Sequence, residues 1–220
     1  MMSYLYCIGI IFAVHSVTMA AETCCFPQKY EGLVSQQMVS SGDAQGGIHF
    51  VEAEFNISVD YVGKMEAISF LYYDVDGHSL PPLFILVDYQ NGIEYIVQEN
   101  TCQKVVIPKS MPSNCLPDGA TQVLKDHFGA ANEILPIKRY VYKPPNLNLT
   151  ETVSVTETNC YPVMLTQIVG GTDTRVLFSG LSLGINNPDI FNVPDVCKHT
   201  VPNDKIILKD FRMRLFTWVK

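Results

Sequence analysis

The sequence has no C-x-x-C pair and no H-x-x-x-H, and its five histidines (His15, His49, His78, His127, His199) show no metal-ligand spacing. That argues against a zinc site. A phosphate loop and a dinucleotide fingerprint are also missing, which removes the common nucleotide-dependent enzymes. Basic excess is lacking too: the formal net charge is −7, unsuited to a nucleic-acid partner. No charged side chain precedes Glu22, and no stretch after it is long and apolar enough to span a bilayer. There is no internal repeat and no low-complexity linker, so residues 21–220 read as a single domain.

The uncharged start is itself informative. Apolar residues run over 4–14, and small residues surround Ala20 and Ala21, so residues 1–20 are expected to be a secretory signal peptide. Cys7 lies within it. The rest of the chain keeps Cys24, Cys25, Cys102, Cys115, Cys160 and Cys197, an even set that implies disulfides formed in an oxidising compartment. Spacing alone leaves 15 pairings open for six cysteines. Vicinal Cys24 and Cys25 are poorly placed to bond each other, so each is expected to reach a distant partner. Two sequons, at Asn56 and Asn148, are expected to carry glycans and to be exposed.

The body reads as β-structure. Ile48 and Phe50, then Phe55, Ile57 and Val59, alternate with polar residues, with a parity switch near Ala53 that suggests a bulge or turn. Further strands are expected over 65–73, 83–89, 93–98, 102–107, 133–142, 151–159, 160–168 and 173–182, with turns at 74–77, Asn91-Gly92 and Gly170-Gly171. Residues 118–132 are the one expected helix, from Leu124 and Phe128 four apart. The alternation of Phe211, Met213 and Leu215 with Arg212 and Arg214 suggests a last strand; an amphipathic helix touching a membrane is the alternative. Strands this closely spaced imply antiparallel meanders, in a sandwich or partly closed barrel.

Two local patterns suggest chemistry. Gly180-Leu181-Ser182-Leu183-Gly184 matches G-x-S-x-G, and Asp189 or Asp195 and His199 follow in hydrolase order. The Ile185-Asn186-Asn187-Pro188 that comes next cannot open the helix a nucleophile elbow needs, so no enzyme is expected. Asp74, Asp76 and Gly77 hint at a calcium loop, but the remaining oxygen ligands are missing and a type I turn is the better reading. Aromatics crowd the central strands, and a half-closed sheet leaves an apolar hollow between its faces. Phe70, Tyr72, Phe84, Leu86 and Tyr95 are the candidates for its wall.

Several longer segments resemble the ependymin family, in particular the ependymin-related proteins of animals. They are Cys24-Cys25-Phe26-Pro27 running to Tyr30-Glu31-Gly32, the apolar strand and Asn-Gly turn leading to Cys102, and Cys160-Tyr161-Pro162-Val163. The longest is L-G-I-N-N-P-D-I-F-N-V-P-D-V-C, residues 183–197, and the similarity covers about residues 24–197. It implies a secreted glycoprotein of mainly β fold with little helix. Its two curved antiparallel sheets would form a half-open barrel similar to bacterial lipoprotein carriers. A deep apolar pocket for lipid or other hydrophobic ligands, a homodimer and calcium association are also implied, in the extracellular space or the lysosomal lumen. By matching position it pairs Cys24 with Cys160 and Cys102 with Cys197; Cys25 with Cys115 is then the inferred third pair. Two cysteines of the vertebrate related proteins have no counterpart here, one between the third and fourth strands and one in the tail. The competing reading is a calcium-dependent matrix or cell-adhesion protein with no functional pocket. Residues 183–197 are expected to form a stapled lid that holds the two sheets apart.

Overall fold

The structure, a computed structural model, describes residues 24–41, 47–144 and 148–201. The expected signal segment and the expected last strand lie outside these residues.

Among the described residues twelve strands run in chain order: β1 (Lys29–Ser41), β2 (Ile48–Asp60), β3 (Met65–Val75), β4 (His78–Ser79), β5 (Leu83–Asp88), β6 (Ile93–Gln98), β7 (Thr101–Val106), β8 (Thr121–Ala130), β9 (Glu133–Tyr142), β10 (Leu149–Thr156), β11 (Pro162–Val169) and β12 (Thr172–Leu183). They form two antiparallel meanders. β1 pairs with both β2 and β12, so the two meanders become one open sheet of order β7-β6-β5-β3-β2-β1-β12-β11-β10-β9-β8, with β4 on β3. The mainly β, half-open arrangement is as expected; hydrogen bonds through β1 make the two expected sheets continuous.

The sheet curves because apolar side chains of both meanders seek the same interior. Val34, Phe55, Ile57, Phe70 and Ile85 of one half share a core cluster with Val153, Val155, Leu165, Val176 and Phe178 of the other. We call this side the inner face. Turns are closed by buried aspartates: Asp60, Asp74 and Asp88 each accept a backbone N–H three residues on, from Gly63 (2.7 Å), Gly77 (2.7 Å) and Asn91 (2.9 Å).

Three local expectations are corrected. Residues 118–132 form no helix; Thr121–Ala130 is strand β8, the free edge of the sheet. Leu124 and Phe128 are four apart, a spacing that puts two residues on one side of a strand as well as of a helix. The observed hairpin end requires Gly129, at φ 99°, where an added Cβ would meet the Glu133 carbonyl oxygen at 1.8 Å. The parity switch near Ala53 is not a bulge in β2, whose pairing with β1 is unbroken from Lys29↔Asp60 to Ser41↔Ile48. The irregularity is on β3, where Leu71 is extra between Phe70 and Tyr72, while Ile48 and Phe50 are simply exposed apolar residues. The turn after Asp74 is not type I: Asp76 (φ 51°) and Gly77 (φ 82°) are both left-handed, as a two-residue hairpin requires.

Candidate ligand-binding face

Three disulfides fix the frame. Cys24 is bonded to Cys160, Cys25 to Cys115 and Cys102 to Cys197. The vicinal pair thus ties the N-terminus to both meanders: Cys160 precedes β11, and Cys115 lies in the connection between β7 and β8. Backbone bonds from Phe26 N to Asn114 O (2.7 Å) and from Leu116 N to Cys24 O (2.8 Å) hold the same junction.

The five residues proposed for a pocket wall do not share one hollow. Phe70 is on the inner face. Leu86 and Tyr95 belong to a second cluster on the opposite face, with Phe84 packed against it. Tyr72 is exposed. The cause is the two-residue period of a strand: along β5, Leu83, Ile85 and Val87 point inward, whereas Phe84 and Leu86 point away. That strand is apolar from Leu83 to Val87 because both its faces are covered.

The cover on the second face is the segment 183–197, which is therefore not a spacer between sheets. It forms two 3-10 turns, Pro188–Phe191 and Asp195–Cys197. Asn187 starts the first turn by accepting a hydrogen bond from Asp189 N (3.2 Å). Ile190, Phe191 and Val193 pack over Ala67, Leu86 and Tyr95, and Cys197 is fully buried among them. Ser182 stands in β12 opposite Glu31 and is followed by these turns, so the described residues build no nucleophile elbow.

The inner face carries the ordered chemistry. One cross-strand row is apolar, running Phe70–Phe55–Val34–Phe178. The next row is Ala53–Gln36–Val176–Leu165–Val153, and the one after it Met38–Thr174–Gln167–Glu151. Polarity therefore rises toward one end. Glu151 is almost fully buried and accepts a hydrogen bond from Gln167 Nε2. Gln36 is also buried, and its Oε1 has no hydrogen-bond partner among the described residues. Neither residue stood out in the sequence, since a Gln or Glu inside an alternating strand ordinarily faces water.

The other end of the face holds a carboxyl–tyrosine group. Glu66, between Val59 and Val87, accepts a hydrogen bond from the Tyr89 hydroxyl (3.4 Å). Burial raises its pKa to about 7, helped by the Glu94 carboxylate and opposed by the Tyr89 hydrogen bond. Burial also pushes the Tyr61 and Tyr89 hydroxyls well above their ordinary values, with the Glu66 charge adding to both.

Asp74 and Asp76 serve the backbone. Beyond the Gly77 bond already given, Asp76 accepts from Phe50 N (2.8 Å) and meets His49 Nδ1 at 2.9 Å. Among the described residues no group of three or more His, Cys, Asp or Glu side chains is arranged to hold a metal. Asn56 is exposed in the middle of β2, and Asn148 is exposed just before β10. No helix among the described residues is long and apolar enough to cross a membrane.

These features define a class: an open, curved antiparallel β sheet with disulfide-tied ends and an apolar inner face. The family is then given by the sequence. The Ependymin model matches residues 81–197, more than half of the chain, and the chain belongs to that family. No curated protein matches the chain in sequence. Among solved structures, it is similar to an uncharacterized conserved protein from Thermus thermophilus, at 8% identity over 76% of this chain and 86% of that one, with a TM-score of 0.50. A LolA superfamily protein from Nitrosomonas europaea matches at 8% identity over 77% and 93%, with a TM-score of 0.37. A beta-barrel-like protein from Brucella abortus matches at 6% over 73% and 100%, with a TM-score of 0.36. The Thermus likeness concerns the fold alone.

Proposed function

We propose that this protein is a secreted, glycosylated carrier of lipid or another apolar small molecule, held against the inner face of the curved sheet. The observation that supports it most is the shared interior, where side chains from both meanders converge on one apolar face inside an open sheet. A face of this kind can take up an acyl chain by burying it at roughly 25 cal/mol per Å² of apolar surface. Family membership, three disulfides and two exposed sequons support secretion. The homodimer implied by the resemblance is part of the proposal, and light scattering at micromolar concentration tests it; a monomer would remove it. The carrier reading is tested by organic extraction of protein secreted from eukaryotic cells, followed by mass spectrometry of the extract. One lipid species near equimolar amount is expected, and a lipid-free extract would overturn the reading.

A further inference from the structure

Charge is divided unevenly along the chain. Residues 202–220 hold five basic side chains (Lys205, Lys209, Arg212, Arg214 and Lys220) and two acidic ones, Asp204 and Asp210. Their net charge is +3, which leaves −10 of the formal −7 on residues 1–201. The same segment carries Phe211, Met213, Leu215, Phe216 and the chain's single tryptophan, Trp218. It departs from Val201, four residues beyond Cys197, whose disulfide to Cys102 fixes the point of departure at β7. Part of the second face is left bare among the described residues. There strand register lines up three rows, Leu177–Ser35–Glu54–Tyr72, Arg175–Gln37–Glu52–Asp74 and Asp173–Val39–Phe50. Val39, Phe50, Tyr72 and Leu177 are all exposed. Glu54 is exposed and Glu52 half-buried, and they accept from neutral donors, Ser35 Oγ (3.3 Å) and Gln37 Nε2 (3.1 Å). Arg175, the one cation in these rows, is paired with Asp173 at 3.1 Å. The Asn56 sequon, one row further along β2, bounds the patch.

An exposed apolar patch rimmed by charge marks an interaction surface. This one suits a basic, amphipathic occupant, because Lys and Arg lay their carbon stems along apolar surface while their heads reach carboxylates. The distance is short. From β7 to β2 is four steps across the sheet, about 19 Å at a strand spacing of about 4.8 Å. Residues 202–220 can span up to roughly 60 Å when extended. Another apolar surface, where Val123, Leu124 and Ile134 are exposed on β8 and β9, has the opposite charge balance: Lys125, Lys138 and Arg139 outnumber Asp126 and Glu133 on those strands. We infer that residues 202–220 dock on the Val39–Phe50–Tyr72–Leu177 patch of the same molecule, with their basic side chains at Glu52 and Glu54. The segment thereby extends the cover that residues 183–197 begin on the second face. The inner face is untouched by it, so this inference stands or falls apart from the carrier reading.

Trp218 is the chain's only tryptophan, so its fluorescence reports on this segment alone. In secreted protein with residues 202–220 intact, the emission is expected to be blue-shifted and shielded from acrylamide, equally at nanomolar and micromolar protein. Glu52→Lys combined with Glu54→Lys, two changes outside the core, is expected to shift the emission to the red and admit the quencher, with the circular dichroism unchanged. Adding Arg212→Glu and Arg214→Glu to that variant makes the charges opposite again and is expected to recover the shielded emission; no recovery overturns the charge pairing. Solvent-like emission in the wild type overturns the inference. A blue shift that grows with protein concentration assigns the patch to a second copy of the chain. One that appears only on adding phosphatidylcholine–phosphatidylserine vesicles assigns the segment to a membrane. Either overturns the inference, as does a shielded emission that the Glu52, Glu54 double variant leaves unchanged.

Discussion

Cys197 is bonded to Cys102, and this bond pins the second 3-10 turn to the outermost strand of the first meander. The bond closes a sequence separation of 95 residues, which restricts the unfolded chain strongly. A Cys102→Ser, Cys197→Ser double variant is expected to lose about 3–5 kcal/mol of stability in urea denaturation. It should also bind more of a hydrophobic dye than the wild type, because Leu86 and Tyr95 would lose their cover. An unchanged denaturation midpoint would show that packing alone holds the segment.

The two clusters differ from the exposed edge in energetic weight. Phe55 is fully buried beside Phe70, with ring centroids 5.1 Å apart. Phe55→Ala is expected to destabilise by about 3–5 kcal/mol. Phe128→Ala on the exposed strand β8 should change stability by no more than about 0.5 kcal/mol. Comparable losses at both sites, measured by chemical denaturation, would mean that β8 is packed against something else.

Glu66 gives the protein a pH dependence of definite sign. Its pKa rises from an ordinary value of 4.5 to about 7 in the folded state, so the folded chain holds this proton more tightly than the unfolded one. Its contribution to stability is fully present below about pH 4.5, declines as pH rises, and is lost above about pH 7, to a total of roughly 3 kcal/mol. Asp76 acts in the opposite direction and in a more acidic window, because its hydrogen bond with His49 lowers its pKa. The Tm of the wild type minus that of Glu66→Gln, followed from pH 4.5 to 8, should therefore fall with rising pH. A flat difference would place Glu66 in contact with water.

Asn56 and Asn148 are both exposed. Each Asn→Gln substitution, in protein secreted from eukaryotic cells, is expected to remove one glycan-sized step in mass that enzymatic deglycosylation also removes. A site whose substitution leaves the glycosylated mass unchanged is not used.

Most of the strands were legible in the sequence, because alternation and turn chemistry are local. Ile93–Gln98 and Glu133–Tyr142 have the expected boundaries, and Asp74 and Asn91-Gly92 mark real turns. β8 was not legible, since Leu124 and Phe128 satisfy two periodicities at once. The division of Phe70 from Phe84, Leu86 and Tyr95 was hidden for a different reason. Composition shows that β5 is apolar on both sides, but not which cover lies on which side, and that depends on where residues 183–197 return. Gln36 and Glu151 were hidden because their burial follows from the curvature of a sheet whose two halves are joined by the long-range pairing of β1 with β12 and packed through a shared core.

The central claim is that the inner face carries an apolar ligand. Native mass spectrometry of the protein as secreted, with and without calcium, tests it most directly. The expected result is a bound species that survives transfer, is released by organic solvent and is unaffected by calcium. Protein free of any bound small molecule, self-associating only when calcium is added, would contradict it and favour the matrix-adhesion reading.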